Sequence, residues 1–534
     1  MKKSISLILV LALAIGALAG CGNTQTGSGT KDGKMVIRWM GFPIDGVGTP
    51  DGPIEKYIEE RFNVEIEPIF ITYGEYADKK SMMLAGDDIP DVIYEFDPKN
   101  VQQDADQGFI AEVPYEFIKK NAPDIYKVLN DNEPKVWSYS RVDGSNFGVP
   151  NLAYQNADVS IGLWRQDWLK NVGIDKVPTT IDEMGEALRR FTKNDPDGNG
   201  KNDTYGMTGT ISWNGMFKEI FGAYGAMPFD WVEKSSGDYV YGGLQSETVD
   251  ALKKITEWYK EGLIHPDFTT DSLSGTGKEK LANGKIGYLN GLGGYYDKTN
   301  RTDVRNLTAN INPKAVLTDA PPVKGPDGKS GGFVWGNAAH VVAFGRHLEK
   351  DEKKLAKILE ILNTMVADED VMLNVRIGKE GEHYKLKDGA TKISEGIEFL
   401  PPYDDAETRK LVGFVEDFGS ATFFMPVTPT KEAYEKYTNA EKLSINKAVI
   451  GDTKGTIDAF LKPDILPSSS DYFETLRSAQ IKLMVEIITG EKSVDSYMSE
   501  FKKMWNEYGG NKLEAEAKPM AEEIEKILKE VGVK

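Results

Sequence analysis

Residues 35–96 alternate between the hydrophobic periods of strands and helices, and this alternation constrains the fold more than any other feature of the chain. Apolar runs predict strands at residues 35–40, 64–71 and 91–96, with helices at residues 53–61 and 74–85 between them. Such an order forms right-handed parallel crossovers and therefore a doubly wound α/β sheet. Ligands of these sheets bind at loops beyond the carboxyl ends of the strands, which here begin at Gly41 and Asp97.

The chain beyond residue 150 is predicted to add a second α/β lobe and then a helical end. Strands are expected at residues 161–164 and 286–290. The helix predicted at residues 181–191 has its apolar residues on one face, and Thr180 and Glu183 form a capping-box pattern at its start. Further helices are predicted at residues 248–261, 278–281, 351–367, 404–418, 431–449, 472–489, 494–508 and 514–529.

The first residues have the pattern of an export signal. Lys2 and Lys3 precede an apolar run that ends at Leu18-Ala19-Gly20-Cys21. The run is too short to span a bilayer comfortably, which favours a signal peptide over residues 1–20. The triplet before Cys21 resembles a bacterial lipobox, which implies that Cys21 becomes the first mature residue and carries a diacylglycerol with palmitate-type chains. The alternative is an ordinary signal peptide with a coincidental cysteine. Residues 21–34 are small and polar and predict a flexible tether.

Composition excludes several classes of protein. The 64 Lys and Arg residues against 83 Asp and Glu residues give a net charge of −19, which disfavours nucleic acid as a partner. Cys21 is the single cysteine, so no intramolecular disulfide stabilises the fold. The four His residues form no HExxH string, which argues against a zinc hydrolase.

Five strings, taken in order, resemble those of bacterial extracellular solute-binding proteins of the family 1 type. The last of them resembles the Gram-positive branch of Lpl-like sugar-binding lipoproteins of ABC transporters. The strings are Asp88-Ile-Pro-Asp-Val92, Phe147-Gly-Val-Pro150, Trp164-Arg-Gln-Asp-Trp168 with Val177-Pro-Thr-Thr180, Leu281-Ala-Asn-Gly-Lys-Ile-Gly287 and Gly378-Lys-Glu-Gly-Glu-His-Tyr384. The resemblance covers most of the chain from about residue 35 onward.

The resemblance implies a periplasmic-binding-protein-like α/β fold, with two doubly wound lobes around a ligand cleft and a helix-rich C-terminal part. It divides the chain into residues 35–150 and 325–395 for the first lobe, and residues 151–324 and 396–534 for the second. A hinge is expected near residues 148–150. By the same resemblance the protein is a monomer on the outer face of a Gram-positive cell membrane. It would capture an oligosaccharide without enzymatic activity and pass it to the transmembrane subunits of an ABC permease.

A calcium-type loop follows the helix predicted at residues 181–191. Asp195, Asp197 and Asn199 have the spacing of side-chain ligands in a D-x-[DN]-x-[DN]-G loop, with the Lys201 carbonyl and Asp203 completing the set. The twelfth position departs from the pattern, because Gly206 replaces the bidentate Glu. Alginate-binding relatives carry an acid where this chain has Thr204. The sequence predicts a structural calcium ion, and the alternative is a polar surface turn.

A sugar site needs aromatic platforms beside hydroxyl-binding polar groups. Glu95 and Asp97, at the end of the third predicted strand, are the predicted hydroxyl acceptors. The aromatic candidates near suitable loops are Phe42, Phe96, Tyr154, Trp213, Tyr295, Tyr296, Trp335 and Tyr472. For each aromatic residue the alternative is a place in the core.

The sequence leaves two alternatives to a solute-binding function. An exported carbohydrate-active enzyme would use paired carboxylates, for which 83 acidic residues provide no specific pair. A calcium-dependent adhesin would show repeats or a β-rich pattern, and the sequence has neither.

Overall fold

The computed structural model of the chain describes most of the sequence after residue 29. The described residues are 30–31, 33–43, 48–152, 161–212, 216–271, 275–291, 304–331, 338–415, 418–419, 421–439, 443, 458–461 and 463–533. Within them, no helix combines the length and apolar character needed to cross a bilayer.

Sixteen strands are present in the described ranges, and most of them belong to two sheets. They are β1 Thr30–Lys31, β2 Lys34–Trp39, β3 Val64–Pro68, β4 Val92–Glu95, β5 Arg141–Val142, β6 Ser145–Asn146, β7 Val149–Leu152, β8 Ile161–Arg165, β9 Tyr205–Met207, β10 Trp231–Glu233, β11 Tyr239–Tyr241, β12 Ile286–Gly291, β13 Leu317–Ala320, β14 Ala338–Phe344, β15 Tyr384–Leu386 and β16 Ile397–Phe399.

The α-helices of the described ranges cover these sheets and dominate the C-terminal part. They are α1 Pro53–Phe62, α2 Tyr76–Ala85, α3 Pro98–Asp106, α4 Tyr115–Asn121, α5 Pro123–Asn132, α6 Gln166–Asn171, α7 Ile181–Lys193, α8 Lys218–Ala223, α9 Ser246–Lys260, α10 Thr276–Ala282, α11 Val304–Ile311, α12 Glu352–Ala367, α13 Glu369–Asn374, α14 Ala406–Val412, α15 Lys431–Tyr437, α16 Ser469–Ile488, α17 Tyr497–Glu507 and α18 Gly510–Glu530. Short 3₁₀ turns, such as Tyr73–Glu75 and Pro134–Ser140, join several of them.

The first sheet confirms the predicted parallel crossovers. Strand β2 pairs in parallel with both β3 and β4, and α1 and α2 lie between these strands along the chain. The order is β1-β2-β4-β14-β7, with β3 on β2. Strand β14 is antiparallel to both of its neighbours, so it enters the sheet at the edge where β4 ends. The fold class is therefore α/β, as predicted, with both parallel and antiparallel pairs.

The second sheet has the order β13-β8-β12-β9. Strand β12 is parallel to β9 and antiparallel to β8, which is antiparallel to β13. Helix α7 packs beside β9 and begins with the predicted capping box. The Thr180 hydroxyl accepts the backbone N–H of Glu183, and the Glu183 carboxylate accepts the backbone N–H of Thr180.

Two crossings connect the carboxyl edges of the two sheets along the chain. Strand β7 ends at Leu152 and β8 begins at Ile161, so the intervening segment spans roughly 30 Å at full extension. A second crossing runs from the end of β13 to the start of β14. Val149 and Pro150 pair with β14 inside the first sheet, and the hinge predicted near residues 148–150 stays a prediction. The first segment that leaves this sheet begins after Leu152.

The C-terminal part contacts both halves of the molecule. The predicted lobe boundary at residue 396 falls inside the hairpin formed by β15 and β16. Beyond it, the Phe423 carbonyl accepts the indole N–H of Trp39 in β2. Helices α16 and α18 pack near α9 and β11, while the guanidinium of Arg141 reaches Glu523 and Glu530 on α18. The rest of the predicted division into lobe segments stays a prediction.

Candidate functional site

An aromatic cluster lies at the carboxyl edge of the first sheet, where β4 ends and β14 begins. This first-sheet aromatic cluster consists of Phe42, Tyr73, Tyr94, Phe96 and His340. The Phe96 ring is at its centre, with centroids 5.9 Å from Phe42, 5.4 Å from Tyr73 and 5.3 Å from His340. Tyr73 is 61% exposed, and Phe42, Phe96 and His340 are partly buried. The cluster therefore offers aromatic faces at the edge where a doubly wound sheet binds its ligands.

Hydrogen bonds from the buried residues Tyr94 and Tyr76 hold the cluster in place. The Tyr94 hydroxyl lies 2.5 Å from Nδ1 of His340. Burial raises the pKa of Tyr94 well above its ordinary value, so the hydroxyl keeps its proton and can donate it to the imidazole. The Tyr76 hydroxyl donates to the carbonyl oxygen of Tyr94 at 2.7 Å. These bonds restrict the positions of the rings that face the edge.

Glu95 does not face a ligand in this structure. The residue is 0% exposed, and its Oε2 atom lies 2.6 Å from Nζ of Lys80, which also contacts Asp104 at 2.8 Å. The prediction that Glu95 accepts sugar hydroxyls is corrected for a physical reason. Successive residues of a strand point to opposite faces, so Glu95 points away from the face that carries Tyr94 and Phe96.

Asp97 and Tyr472 occupy different surroundings. Asp97 directly precedes α3, is partly buried and stands next to Phe96, at the edge where it was predicted. Tyr472 lies on α16, where its hydroxyl accepts a hydrogen bond from Nζ of Lys512 at 2.6 Å. Its ring packs tightly against Gly509. The structure thus places Tyr472 among the C-terminal helices and not in the aromatic cluster.

A polar cluster occupies the carboxyl edge of the second sheet. The second-sheet polar cluster consists of Glu219 in α8 and Tyr288 and Asn290 in β12, and all three are buried. The ring of Phe217, just before α8, packs on Gly209, which follows the end of β9. This contact holds the start of α8 over the carboxyl ends of β9 and β12. Burial raises the pKa of Glu219 to about 7, while Lys218 and the Tyr288 hydroxyl oppose the rise.

Six predicted site residues lie outside the described residues: Cys21, Tyr154, Trp213, Tyr295, Tyr296 and Trp335. In the sequence, Tyr154 follows β7, Tyr295 and Tyr296 follow β12, and Trp335 precedes β14. Their assignment to a ligand site stays a prediction.

The predicted calcium loop is a turn in which polar side chains contact one another. The Asp195 carboxylate accepts the backbone N–H groups of Asn199 and Gly200 at 3.0 and 2.9 Å. The Asn199 amide donates to Asp197 at 2.8 Å and to Asp203 at 3.1 Å. The backbone N–H of Lys201 donates to the Asn199 side-chain oxygen at 2.7 Å.

The charges of this loop are only partly compensated. The ammonium group of Lys285 lies 3.0 Å from Asp203. Burial and the neighbouring Asp195 raise the pKa of Asp197, which reflects carboxylates held close together. In the part of the chain that the structure describes, no group of three or more His, Cys, Asp or Glu side chains is arranged as a metal site. The oxygen donors that calcium prefers are nevertheless present in one short loop.

With this geometry established, the family assignment follows. The chain belongs to the bacterial extracellular solute-binding proteins, whose family model matches residues 46–369. This assignment confirms the resemblance found in the sequence. The members of the family are binding proteins, which places the chain in a class defined by ligand capture.

Individual relatives narrow the comparison. The chain is 27% identical to lipoprotein LipO of Bacillus subtilis, over 95% of this chain and 96% of the relative. It is 30% identical to the polygalacturonan/rhamnogalacturonan-binding protein YtcQ of the same organism, over 72% and 75% of the two chains. Among solved structures, the Streptococcus pneumoniae ABC-transporter substrate-binding protein FusA in complex with kestose has a similar fold. It superposes with a TM-score of 0.65 at 17% identity, over 92% of this chain and 99% of FusA.

Sequence reasoning missed six residues of the two clusters: Tyr73, Tyr94, His340, Glu219, Tyr288 and Asn290. Tyr94 could have been found, because strand alternation places it on the same face as Phe96. His340 could not have been found in this way, because it lies 246 residues from Tyr94 along the chain. Asn290 ends a predicted strand, which is a weak signal, and Glu219 follows no pattern that distinguishes it from other acidic residues.

Proposed function

We propose that this protein binds an oligosaccharide between its two sheets and delivers it to the membrane subunits of an ABC importer. The observation that carries the proposal is the first-sheet aromatic cluster. Sugars present flat apolar faces between hydroxyl edges, and a ring such as Phe42 or Phe96 complements the face. The imidazole of His340, whose Nδ1 is bonded to the Tyr94 hydroxyl, adds a further ring beside Phe96.

The relatives support carbohydrate as the ligand class. YtcQ is named for polygalacturonan and rhamnogalacturonan, and FusA was solved with kestose. FusA itself is named as the substrate-binding protein of a fructooligosaccharide ABC transporter in Streptococcus pneumoniae. Different sugars occur in these names, so the class is proposed for this chain and the individual sugar is not.

The mechanism is closure of two lobes over the ligand. A ligand on the aromatic cluster of the first sheet faces the second sheet across the crossings after β7 and β13. Closure over the ligand buries more of its surface than either edge does alone. Ligand favours the closed state only by binding it more tightly than the open state. We propose that the permease recognises this closed, loaded form.

The test is a thermal-shift screen of the purified protein against neutral and acidic oligosaccharides, followed by calorimetry. A ligand stabilises the fold by RT ln(1 + [L]/Kd), so binding appears as a raised melting temperature. Phe42→Ala should weaken binding about tenfold while the melting temperature changes little, because this ring is partly exposed. The control Phe191→Ala removes a fully buried ring and should lower the free energy of unfolding by about 3–5 kcal/mol.

Two results would contradict the proposed function. One is the absence of binding to every sugar tested. The other is the appearance of new reducing ends during incubation, which would favour an exported carbohydrate-active enzyme. Equal affinity of Phe42→Ala and wild type would move the sugar site away from the first-sheet aromatic cluster.

Two further features belong to the proposal. A lipid on Cys21 and the tether over residues 21–34 would hold the protein at the outer face of the membrane, where the permease is reached by diffusion in two dimensions. The name of the LipO relative supports this anchor.

A structural calcium ion would be held by Asp195, Asp197, Asn199, the Lys201 carbonyl and Asp203, and it would compensate the crowded carboxylates.

A further inference from the structure

We infer that Glu219 and Asn290 are the ligand contacts of the second sheet, and that they select an uncharged, hydroxyl-rich sugar unit over a uronic acid. This inference rests on the proposed function and adds to it the chemistry of one subsite. Neither residue was predicted from the sequence, and neither belongs to the first-sheet aromatic cluster, because Asn290 is in β12 and Glu219 is in α8.

Their location at the carboxyl edge follows from backbone contacts. Asn290 is the second-last residue of β12, so its side chain lies near the carboxyl end of this strand. Glu219 is in α8. The ring of Phe217, just before this helix, packs on Gly209, and the helix itself packs against the second crossing. The backbone of α8 at Gly222 touches Gly331 in that crossing, with no room for a Cβ atom between them. Gly222 lies one helical turn after Glu219, so Glu219 is on the side of α8 that faces this crossing.

In this pair every polar atom of both side chains is unsatisfied, whereas Glu95, which is equally buried, keeps one oxygen on Lys80. Glu219 is 0% exposed and Asn290 is 5% exposed. Within the described residues, neither oxygen of Glu219 and neither side-chain polar atom of Asn290 forms a hydrogen bond of good geometry, although the Tyr288 hydroxyl lies close to both side chains. Burying such an atom without a partner destabilises the fold. A native fold keeps this penalty where another group completes the bonds, and sugar hydroxyls can both donate to Glu219 and bond the amide of Asn290.

Charge decides between neutral and acidic sugars. The Glu219 carboxyl accepts hydrogen bonds from hydroxyl groups, whereas a uronate placed beside it would bring two carboxylates into one buried site. The neighbouring cation, Lys218, does not remove this conflict, because it lines a small cavity together with Asp230, which is buried and acidic. The Tyr288 hydroxyl is the remaining polar group of the cluster and is itself a hydroxyl donor.

The experiment measures affinity and stability for two conservative variants. Calorimetry compares neutral galacto- and xylo-oligosaccharides with galacturonic acid oligomers of matched length. Glu219→Gln should weaken the neutral ligand about tenfold and narrow the preference over the uronate, because it removes a charge-assisted bond and the repulsion together. Asn290→Leu should weaken the neutral ligand about tenfold without lowering the melting temperature, because it removes unsatisfied polar atoms from the interior.

Matched controls separate a ligand role from a structural role. Glu55→Gln changes another buried carboxyl, in α1, whose pKa burial also raises to about 7, and it should leave affinity unchanged. Asn146→Leu removes a buried amide that is fully bonded to Val113, Gly148 and Ser140, and it should lower the melting temperature.

The outcomes distinguish this inference from the proposed function. If no sugar binds the wild type, both fail. If the wild type prefers the uronate, or if Glu219→Gln and Asn290→Leu bind the neutral ligand as tightly as wild type, the inference is overturned while the proposed function stands. A loss of stability in Asn290→Leu equal to that in Asn146→Leu would also overturn it, because the amide would then serve the fold.

Discussion

At the scale of single residues, the lysine beneath the first-sheet aromatic cluster interacts with two carboxylates. Lys80, Glu95 and Asp104 are all buried, so one positive charge faces two acidic groups. Burial raises the pKa of Glu95 to about 8, with Lys80 opposing the rise and Asp104 adding to it. The Oε1 atom of Glu95 has no hydrogen-bond partner within the described ranges. Glu95 therefore retains its proton near neutral pH.

This arrangement predicts a specific dependence of stability on pH. Because folding raises the pKa of Glu95, its contribution is fully present below the unfolded pKa of about 4.5 and is lost as the pH rises through about 8. Glu95→Gln should resemble wild type at low pH and be more stable by roughly 1–3 kcal/mol above about pH 8. Denaturant melts of both proteins across this range are the measurement.

The control for this prediction is Lys80→Met. It leaves two buried carboxylates without their cation and should cost about 3–5 kcal/mol near neutral pH. A constant difference between Glu95→Gln and wild type at every pH would contradict the assignment of the titration to Glu95.

The same site shows what a sequence can reveal at this scale. Phe42 and Asp97 were expected at the edge because each follows a predicted strand, and both are there. Glu95 was misplaced, although the alternation that puts Phe96 on one face puts its neighbour on the other. His340 was missed because its contact with Tyr94 depends on the pairing of distant strands, which local periodicity does not encode.

At the scale of elements, the ends of helices were predicted well where a local sequence signal, such as a proline or a capping box, sets them. Helix α1 begins with Pro53 and ends before Asn63, which adopts a left-handed conformation at φ 53°. Helix α7 begins at its capping box. The helix predicted at residues 404–418 is shorter, because α14 ends at Gly413 with φ 84°, a conformation that glycine adopts without a steric penalty. Strand β14 was not predicted, because its place in the sheet depends on pairing with β4 and β7, which are distant from it along the chain.

The loop after α7 provides the test for calcium. If calcium is bound by Asp195, Asp197 and Asp203, chelation should lower the melting temperature, because the ion stabilises only the folded loop. Asp197→Asn should remove this sensitivity to chelator. Direct titration of calcium into both proteins by calorimetry is the measurement.

Asp267→Asn is a suitable control for that experiment. Asp267 is an exposed acid on the same lobe but outside the loop, so its variant should keep the full response to chelator. Identical melting of wild type in calcium and in chelator would show that the loop is only a polar turn.

At the scale of the whole molecule, the predicted lipobox at Cys21 leads to a test of where the protein acts. Expression of the full chain in a Gram-positive host should yield a membrane-bound form that begins at Cys21 and carries the mass of a diacylglycerol. Cys21→Ser should leave an unprocessed precursor or release the protein to the medium, because a two-chain lipid supplies stable anchoring and the polar tether does not. Fractionation with intact-mass analysis is the measurement. A mature form that starts elsewhere, or that has no lipid mass, would contradict the lipobox assignment.

The position of β14 has a consequence for how the chain reaches this structure. Strands β4 and β7 are made early, yet the strand that lies between them is Ala338–Phe344, and the intervening chain forms the whole second sheet. As the polypeptide emerges, its first sheet therefore stays split into two unjoined parts while the second sheet can already assemble. Folding of the first sheet must wait for a long-range closure, which is intrinsically slow. Until then the open edges of β4 and β7 are available to pair with other chains, so the interval between synthesis of Leu152 and of Phe344 is when this protein is most prone to aggregate.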